Sequence, residues 1–185
     1  MTNKILVVSL EKGFEKFEKE IKKTVFKALR ILKKKNVSVE IYLVGSPKMR
    51  FLNKKFRGKD KTADILSFEE PKNGFIYPSS SATGGGESKF KRIGEIYLNL
   101  DISQINVDET QINPPHINIC GINANKKISE NLRKNLRGSV LLVHGLLHLF
   151  GYHHNKKNDK IRMDKAEQKL LLQITDSKHQ APNNK

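Results

Sequence analysis

A cluster of three histidines near the end of the chain constrains its folding more than any other feature. His144, His148 and His154 are separated by four and six positions, and Gly151 stands between the last two. Residues four apart lie on one face of an α-helix, so the first two imidazoles can reach one metal ion. Glycine readily takes the positive φ that ends a helix, which would bring His154 back as a third ligand. The spacing therefore predicts a helix that ends in a metal site.

Three histidine nitrogens with one coordination position left open are typical of a catalytic zinc ion, because structural zinc sites fill all four positions. The alternative is a buried helix whose histidines only satisfy backbone groups, an interpretation that would suit a single histidine. Three of the chain's six histidines at this spacing favour the metal site. We therefore expect one Zn2+ ion on His144, His148 and His154.

The charge of the chain indicates which molecules it attracts. Lysine and arginine number 35 against 19 aspartate and glutamate, so the chain of 185 residues carries a formal charge of +16. Such an excess attracts polyanions through neutralisation of phosphates and release of counterions. The basic residues are concentrated in two segments, 11–35 and 48–61. A lysine-rich proteome and solvated helix faces are the alternative explanations.

The number of cysteines and the hydropathy of the chain predict its cellular compartment. Cys120 is the only cysteine, so no internal disulfide can form, and a reducing compartment suits such a chain. No apolar run approaches the roughly 18–20 residues that span a bilayer, and the apolar part of residues 4–10 is too short for a secretion signal. We therefore expect a cytoplasmic protein without a membrane segment.

The periodicity of apolar residues predicts an α+β fold. Residues 37–43, for example, alternate apolar and more polar side chains, which is typical of a half-buried strand. Such patterns predict strands at about 4–10, 37–43, 63–69 and 93–100, and helices at about 14–32, 46–55, 130–150 and 159–174. We expect Ser46, before Pro47, and Ser129 to act as helix N-caps. The pattern indicates a single domain with a small mixed β-sheet of about four strands, packed with helices.

Three stretches lack such periodicity. Residues 71–90 are rich in glycine, serine and proline, and residues 101–127 are rich in asparagine and isoleucine. We interpret both as insertions within one domain over residues 1–175. We expect a flexible polar tail over residues 176–185.

The residue after the first histidine of the cluster bears on the reaction. The spacing His-x-x-x-His-x-x-Gly-x-x-His is that of the extended zinc-protease motif and predicts a zincin-like three-histidine site. Those proteases need a glutamate right after the first histidine as general base, but this chain has Gly145. A phosphodiester instead requires a metal and a cation to stabilise charge on the phosphoryl oxygens. A metal-dependent nuclease is therefore favoured over a protease.

Several stretches together resemble the YbeY family of bacterial endoribonucleases and rRNA maturation factors. The central one is His144-Gly-Leu-Leu-His-Leu-Phe-Gly-Tyr-His-His154. The others are Leu52-Asn53, Phe56-Arg57-Gly58-Lys59-Asp60-Lys61, Asp64-Ile65-Leu66-Ser67-Phe68, Gly94-Glu95-Ile96, and Met163 with Glu167. Together they cover most of residues 1–175.

The resemblance implies a zinc-dependent endoribonuclease that is specific for single strands and works in the cytoplasm. The family acts in rRNA maturation, notably at the 3′ end of small-subunit rRNA, and in ribosome quality control. The partners would therefore be single-stranded RNA, rRNA, and the ribosome or its small subunit, without DNA or a membrane. The alternatives are a non-catalytic ribosome-binding assembly factor stabilised by zinc and, less favoured, a zinc metalloprotease.

Four residues match functional positions of the family. Its three metal ligands correspond to His144, His148 and His154, and its functionally important arginine corresponds to Arg57. A guanidinium there could bind phosphate through two parallel hydrogen bonds, although an ordinary surface arginine would be the default without the resemblance. We therefore expect Arg57 and the three histidines to be catalytic. Attack by a metal-bound hydroxide and attack by the ribose 2′-hydroxyl both stay open.

The chain departs from the family pattern at three positions. His153 stands where an aspartate usually precedes the last histidine, Ala63 where threonine is usual, and Glu95 where aspartate is common. An aspartate could orient a ligand as a hydrogen-bond acceptor, which a histidine does only through a neutral nitrogen. His153 could also compete with His154 for the metal, although the spacing favours His154. These differences bear on rate and substrate choice rather than on fold or metal.

Overall fold

Strands and helices alternate in the first part of the chain, and two further helices follow them. In the computed structural model, the described residues are 3–71, 90–101, 130–154 and 156–176. Within these ranges, the strands are β1 (Lys4–Ser9), β2 (Val37–Val44), β3 (Ile65–Glu69) and β4 (Lys91–Asn99). The main helices are α1 (Glu15–Ile31), α2 (Ser46–Arg57), α3 (Glu130–Leu149) and α4 (Lys157–Asp176).

The four strands form one mixed sheet in the order β1-β2-β4-β3. Strands β1 and β4 both run parallel to β2, one on each side of it, and β3 pairs with β4 in the antiparallel sense. In the first part of β2, Val37, Val39, Ile41 and Leu43 are buried, and the residues between them are half-buried. The two faces of the sheet therefore have different surroundings, and the predicted α+β fold with a mixed sheet is confirmed.

The main hydrophobic core lies between one face of the sheet and helices α1, α3 and α4. Its buried side chains include Leu29 of α1, Ile41 of β2, Ile96 of β4, Leu147 of α3 and Met163 of α4. Helix α3 contacts both β3 and β4, and it also packs on α1 and α4. The end of α3 that carries the histidines is therefore held between the sheet and other helices.

Helix α2 covers part of the opposite face of the sheet. Met49 and Leu52 of α2 pack with Val44 and Leu66 in a second, smaller cluster of buried residues. Leu6 of β1 is exposed. In the described part of the chain, α2 thus covers this face mainly on the side of β3 and β4.

The start of α2 differs from the prediction. Gly45 is the N-cap residue, and Ser46 is already helical; its hydroxyl accepts a hydrogen bond from Asn99 at 3.2 Å. Two carboxylates satisfy the first backbone donors, since Glu11 accepts the N–H of Gly45 at 2.7 Å and Asp101 accepts the N–H of Ser46 at 2.6 Å. The predicted Ser46 cap is therefore wrong, because acceptors from other segments of the chain take its place.

The other helix and strand ends differ from the predicted ones by only one or two residues. Helix α2 extends to Arg57 and ends at Gly58, whose φ of 67° favours glycine. Strand β4 begins earlier than predicted and contains an irregularity, where Gly94 has a φ of 134° opposite Val39. A β-carbon at Gly94 would overlap the carbonyl oxygen of Phe68 on the neighbouring strand, so this pairing requires glycine.

Several predicted features lie outside the described residues. These are Cys120, the N-cap Ser129, all but the ends of the stretches 71–90 and 101–127, and the tail from residue 177 onward. Among the helices that the structure describes, none combines the length and the apolar character needed to cross a membrane.

Candidate metal centre

The end of α3 and the turn that follows it bring the predicted histidines together. His144 and His148 lie one turn apart near the C-terminal end of α3. The chain then reverses at Gly151, whose φ is 78°. The N–H of Gly151 donates to the carbonyl of His148 at 2.8 Å, and the N–H of Tyr152 donates to the carbonyl of Leu147 at 3.1 Å. This pair of hydrogen bonds is a Schellman motif, so the glycine ends the helix as the sequence predicts.

The three histidine rings approach one another closely. Nε2 of His148 lies 3.2 Å from Nε2 of His144. The ring of His154 is centred 5.7 Å from that of His144 and 5.1 Å from that of His148, and one nitrogen from each ring lies within 4.8 Å of the others. A tetrahedral zinc ion with Zn–N bonds of about 2.0–2.1 Å separates its nitrogens by about 3.4 Å. The donor set and its spacing are therefore compatible with a metal site.

Burial keeps His148 uncharged. Its pKa is lowered to about 4, first because burial penalises the imidazolium and then because charge on His144, His154 and His153 would repel it. At neutral pH the ring therefore has an unprotonated nitrogen, which is the form that binds a metal. Protons do not compete for this donor near pH 7.

A carboxylate from α4 lies beside the first histidine. Oε1 of Glu167 is 3.6 Å from Nδ1 of His144; it is buried and has no hydrogen-bond partner among the described residues. Metal-bound histidines commonly direct their second ring nitrogen to a carboxylate, which fixes the ring, and Glu167 is suitably located. The sequence motifs do not indicate a role for Glu167 in the site. A signal was present, however, because Glu167 falls in the buried stripe of Met163, Leu170 and Ile174, where an unpaired acid is unfavourable.

His153 lies beside strand β3. Its Nε2 is 3.5 Å from Oε1 of Glu69, the last residue of β3, and 49% of its side chain is exposed. Its ring is centred 5.9 Å from that of His148, but the group of converging nitrogens contains His154 and not His153. The residue that departs from the family pattern therefore has a carboxylate from another element as its neighbour.

Gly145, directly after the first histidine, packs closely against β3. A β-carbon at Gly145 would lie 2.6 Å from Cδ1 of Ile65 and 2.8 Å from Oγ of Ser67. Both neighbours belong to β3, so this side of α3 faces the sheet. A glutamate at this position, as zinc proteases have, would require these two side chains of β3 to move. The structure therefore argues against a protease-type general base here.

Arg57 lies on a different helix from His144 and His148. It is exposed at the last residue of α2, and within the described part of the chain its guanidinium forms no hydrogen bond or ion pair. Arg50 and Lys54 of the same helix both bind Asp60, at 2.7 and 2.9 Å. The structure thus brings the three histidines together, but among the described residues it does not bring Arg57 into contact with them.

Comparison with known proteins places this chain in a family. The model of the family described as Endoribonuclease YbeY matches residues 7–175 of the chain. The chain belongs to the YbeY family. The family predicted from the sequence motifs is therefore confirmed, and the matched range contains all four predicted site residues.

Individual YbeY relatives match most of the chain. A protein called Endoribonuclease YbeY from Sulfurihydrogenibium sp. (strain YO3AOP1) is 30% identical over 175 residues, which are 94% of this chain and 93% of that protein. A protein of the same name from Buchnera aphidicola subsp. Schizaphis graminum (strain Sg) is 31% identical over 159 residues, 84% of this chain and 75% of that protein. The solution structure of TM1509 from Thermotoga maritima has 21% identity and a TM-score of 0.54, covering 98% of this chain and 99% of that one. This last likeness shows a shared fold.

The histidine cluster of this YbeY-family chain is local in sequence. All three converging rings come from the end of α3 and the turn after it, and the neighbouring carboxylate of Glu167 comes from α4. A helix end closed by its own hydrogen bonds can therefore present three nitrogen donors together.

Proposed function

We propose that this protein is a metal-dependent endoribonuclease that cleaves single-stranded RNA. The observation that carries the proposal is the convergence of nitrogens from His144, His148 and His154 within 4.8 Å of one another, in a chain of the Endoribonuclease YbeY family. Cleavage of a phosphodiester requires stabilisation of negative charge on the phosphoryl oxygens, which bound cations provide. The three histidines would hold one Zn2+ ion for this purpose.

The residues around the histidines favour the binding of a metal ion. A zinc ion held there supplies Lewis-acid stabilisation of phosphoryl charge and lowers the pKa of water. Burial keeps His148 neutral at working pH, and the turn at Gly151 returns the chain so that His154 joins the cluster. Oε1 of Glu167, 3.6 Å from Nδ1 of His144, is placed to accept a hydrogen bond from that nitrogen when the ring holds a metal, which would fix the orientation of the ring.

Arg57 is proposed to bind a phosphate of the substrate strand. Its guanidinium has no described ion-pair partner, whereas Arg50 and Lys54 bind Asp60. A planar guanidinium can donate two parallel hydrogen bonds to one phosphate. Since Arg57 does not contact the histidines in the described structure, we assign it to holding the strand and assign the reacting phosphate to the histidines.

The attacking group is either water or the ribose 2′-hydroxyl next to the cleaved phosphate. Gly145 supplies no side chain that could act as a protease-type general base for either of them. Attack by the ribose oxygen breaks the bond to the 5′ oxygen of the next nucleotide and leaves a 2′,3′-cyclic phosphate. Attack by water leaves a linear phosphate. A cyclic end group on the first product would therefore exclude direct attack by water.

The biological role that we propose follows from the family resemblance. The substrate would be rRNA, the cleavage would mature the 3′ end of small-subunit rRNA, and the protein would work on the ribosome or its small subunit in the cytoplasm, including in quality control. The formal charge of +16 supports an RNA partner. The match over residues 7–175 supports one domain spanning about residues 1–175.

Metal analysis combined with an RNA-cleavage assay tests the proposal. We expect the wild-type protein to bind one equivalent of zinc and to cut a single-stranded RNA, and we expect His148→Ala to lose both properties. His153→Ala is the matched control, since His153 lies in the same turn but outside the group of converging nitrogens. This variant should keep its zinc.

Other outcomes would favour the alternatives. If the wild-type protein binds one equivalent of zinc but cuts RNA no faster than His148→Ala, a non-catalytic ribosome-binding factor replaces the proposal. Zinc-dependent cleavage of a peptide without cleavage of RNA would indicate a protease. Loss of zinc in His153→Ala with full retention in His154→Ala would show that the third ligand is assigned wrongly.

A further inference from the structure

Helix α2 exposes two phenylalanine rings. Phe51 and Phe56 are 56% and 55% exposed, although the same helix buries Met49 and Leu52 against the sheet. Large aromatic rings contribute most to stability when they are buried. Neither side chain belongs to the buried cluster that Met49 and Leu52 form under α2, so both residues stay more than half exposed.

Lysine ammonium groups lie over both rings. Nζ of Lys55 lies 6.0 Å from the ring centre of Phe51 and 5.3 Å from that of Phe56. Nζ of Lys48 lies 5.6 Å from the ring centre of Phe51. A ring face that attracts an ammonium group can also stack on a nucleobase, and the ammonium group can then bind the neighbouring phosphate. The surface therefore provides both parts of the recognition of a nucleotide in a single strand.

A row of aromatic rings on the sheet supports Phe56. Its ring meets that of Phe68 edge to face, with centres 5.1 Å apart. The ring of Phe68 lies 5.9 Å from that of Tyr97, which stacks on Tyr42 at 5.0 Å. These contacts restrict the Phe56 ring, so less conformational entropy is lost when a ligand packs on its exposed face.

Charge distinguishes the two ends of this row. At the end on the sheet, the carboxylates of Glu40, Glu70 and Glu95 lie around the single guanidinium of Arg92. At the end on α2, residues 48–61 contain seven basic residues and one acidic residue. A polyanion is therefore attracted to α2 and repelled from the far end of the row.

We propose that Phe51 and Phe56, together with Lys48 and Lys55, form a base-stacking surface for single-stranded RNA. Nucleobases stack on the two rings while the ammonium groups bind the phosphates. Duplex RNA cannot use this surface, because its bases are already stacked on one another. The inference rests on the proposed function for the nature of the ligand, and it adds a binding surface on the helix that ends at Arg57.

A protein partner is the other kind of macromolecule that exposed rings can bind. The cores of protein–protein interfaces are depleted of lysine, because burying an ammonium group is unfavourable. Here an ammonium group lies over each ring, that of Lys48 over Phe51 and that of Lys55 over Phe56. A single-stranded polyanion matches this combination better than an apolar protein surface does.

Binding of RNA to the full-length chain tests this surface without requiring cleavage. The probe is a fluorescein-labelled single-stranded RNA dodecamer that cannot pair with itself, with a chelator present so that the RNA stays intact. We expect Phe51→Ala to weaken binding about tenfold and Phe51→Tyr to remain within about twofold of the wild type, since the tyrosine ring can still stack. Phe26→Ala is the matched control, because Phe26 is 49% exposed on the basic helix α1, and it should bind like the wild type.

A fluorescent side chain can follow the stacking directly. The chain contains no tryptophan, so Phe51→Trp introduces a single indole, whose emission falls when a base stacks on it. We expect the RNA dodecamer to quench most of the emission of Phe51→Trp and to leave that of Phe26→Trp unchanged. Replacing Lys48 and Lys55 by glutamine should reduce the salt dependence of binding, by about 0.7 in logarithmic slope for each phosphate that the variant no longer neutralises.

Three outcomes would overturn the inference. The first is equal affinity of Phe51→Ala and the wild type for the single strand, and the second is an equal loss of affinity for single strand and duplex. The third is quenching of Phe51→Trp by rRNA-free ribosomal proteins but not by RNA, which would mark a surface for protein. A chain that binds RNA through Phe51 but shows no metal-dependent cleavage would refute the proposed nuclease and leave this inference standing.

Discussion

Gly145 of α3 packs against Ile65 of β3 so closely that a β-carbon on the glycine would lie 2.6 Å from Cδ1 of the isoleucine. The hydroxyl of Ser67 would lie 2.8 Å from the same β-carbon. Helix α3 therefore approaches β3 so closely that a side chain at this position requires the side chains of Ile65 and Ser67 to move. This contact lies between His144 and His148 on the helix that carries both histidines.

Replacing Gly145 by alanine should destabilise the protein. Alanine gains about 1 kcal/mol over glycine inside a helix, but overpacking typically costs about 1–3 kcal/mol, so we expect a net loss of about 1 kcal/mol in the free energy of unfolding. Gly138→Ala is the control on the same helix, since nothing lies within 4 Å of its added β-carbon; it should stabilise by about 1 kcal/mol. Urea unfolding measures both, and a stabilised Gly145→Ala would contradict the close contact.

Glu167→Gln should weaken zinc binding. The carboxylate lies 3.6 Å from Nδ1 of His144, and loss of such a partner typically lowers metal affinity about tenfold or more. Competition with a chromophoric chelator measures the affinity. Asp164→Asn removes a charge from a half-buried residue of the same helix and should leave the affinity unchanged. An equal loss in both variants would point to a general effect of charge instead.

The stability of the metal-free protein should fall as the pH is lowered from 6.5 towards 4. The pKa of His148 is about 4 in the folded chain and near 6.5 in the unfolded chain. Within this window the unfolded chain binds more protons than the folded chain, so acid favours unfolding. The contribution of His148 to stability is therefore fully present only above about pH 6.5. Urea midpoints measured with a chelator present should therefore change less with pH in His148→Gln than in the wild type. Parallel pH profiles for the two proteins would rule out a lowered pKa at His148.

Arg57→Ala should lose RNA cleavage and keep its zinc. Hydrogen bonds to a charged group typically contribute about 1.5–3 kcal/mol, so cleavage should fall about tenfold or more. Arg57→Lys keeps the positive charge but lacks the planar guanidinium, so its cleavage rate should lie between those of the wild type and Arg57→Ala. Arg50→Ala is the control, because Arg50 lies on the same exposed helix and is bound to Asp60 at 2.7 Å. If both alanine variants lose cleavage equally, Arg57 acts only through the general charge of α2.

The parts of the fold that depend on neighbouring residues could be predicted from the sequence. Alternating side chains are sufficient to identify β2, because a strand buries every second residue. The approach of the rings of His144 and His148 follows from helical spacing, and the turn at Gly151 follows from its tolerance of positive φ. These interactions all lie within a few residues of one another, so they are visible in the order of the amino acids.

The features that the sequence did not reveal depend on contacts between distant segments. The first turn of α2 is capped by Glu11 and Asp101, neither of which is near it in the chain. Glu167 reaches His144 only because α4 packs on α3, and Glu69 reaches His153 from the end of β3. Local patterns carry no information about such packing, so they favour Ser46 as the cap and indicate no role for Glu167.

The pairing of β2 with β4 has a consequence for how the chain folds. These strands are parallel neighbours in the sheet, although α2 and β3 lie between them in the chain, so a long loop must close before their hydrogen bonds can form. The three histidines, in contrast, need only one helix end and one turn. A folding chain could therefore capture a metal ion before its sheet is closed, and binding would favour the helix that later completes the core. Faster refolding with zinc than without it would be the kinetic sign of this order.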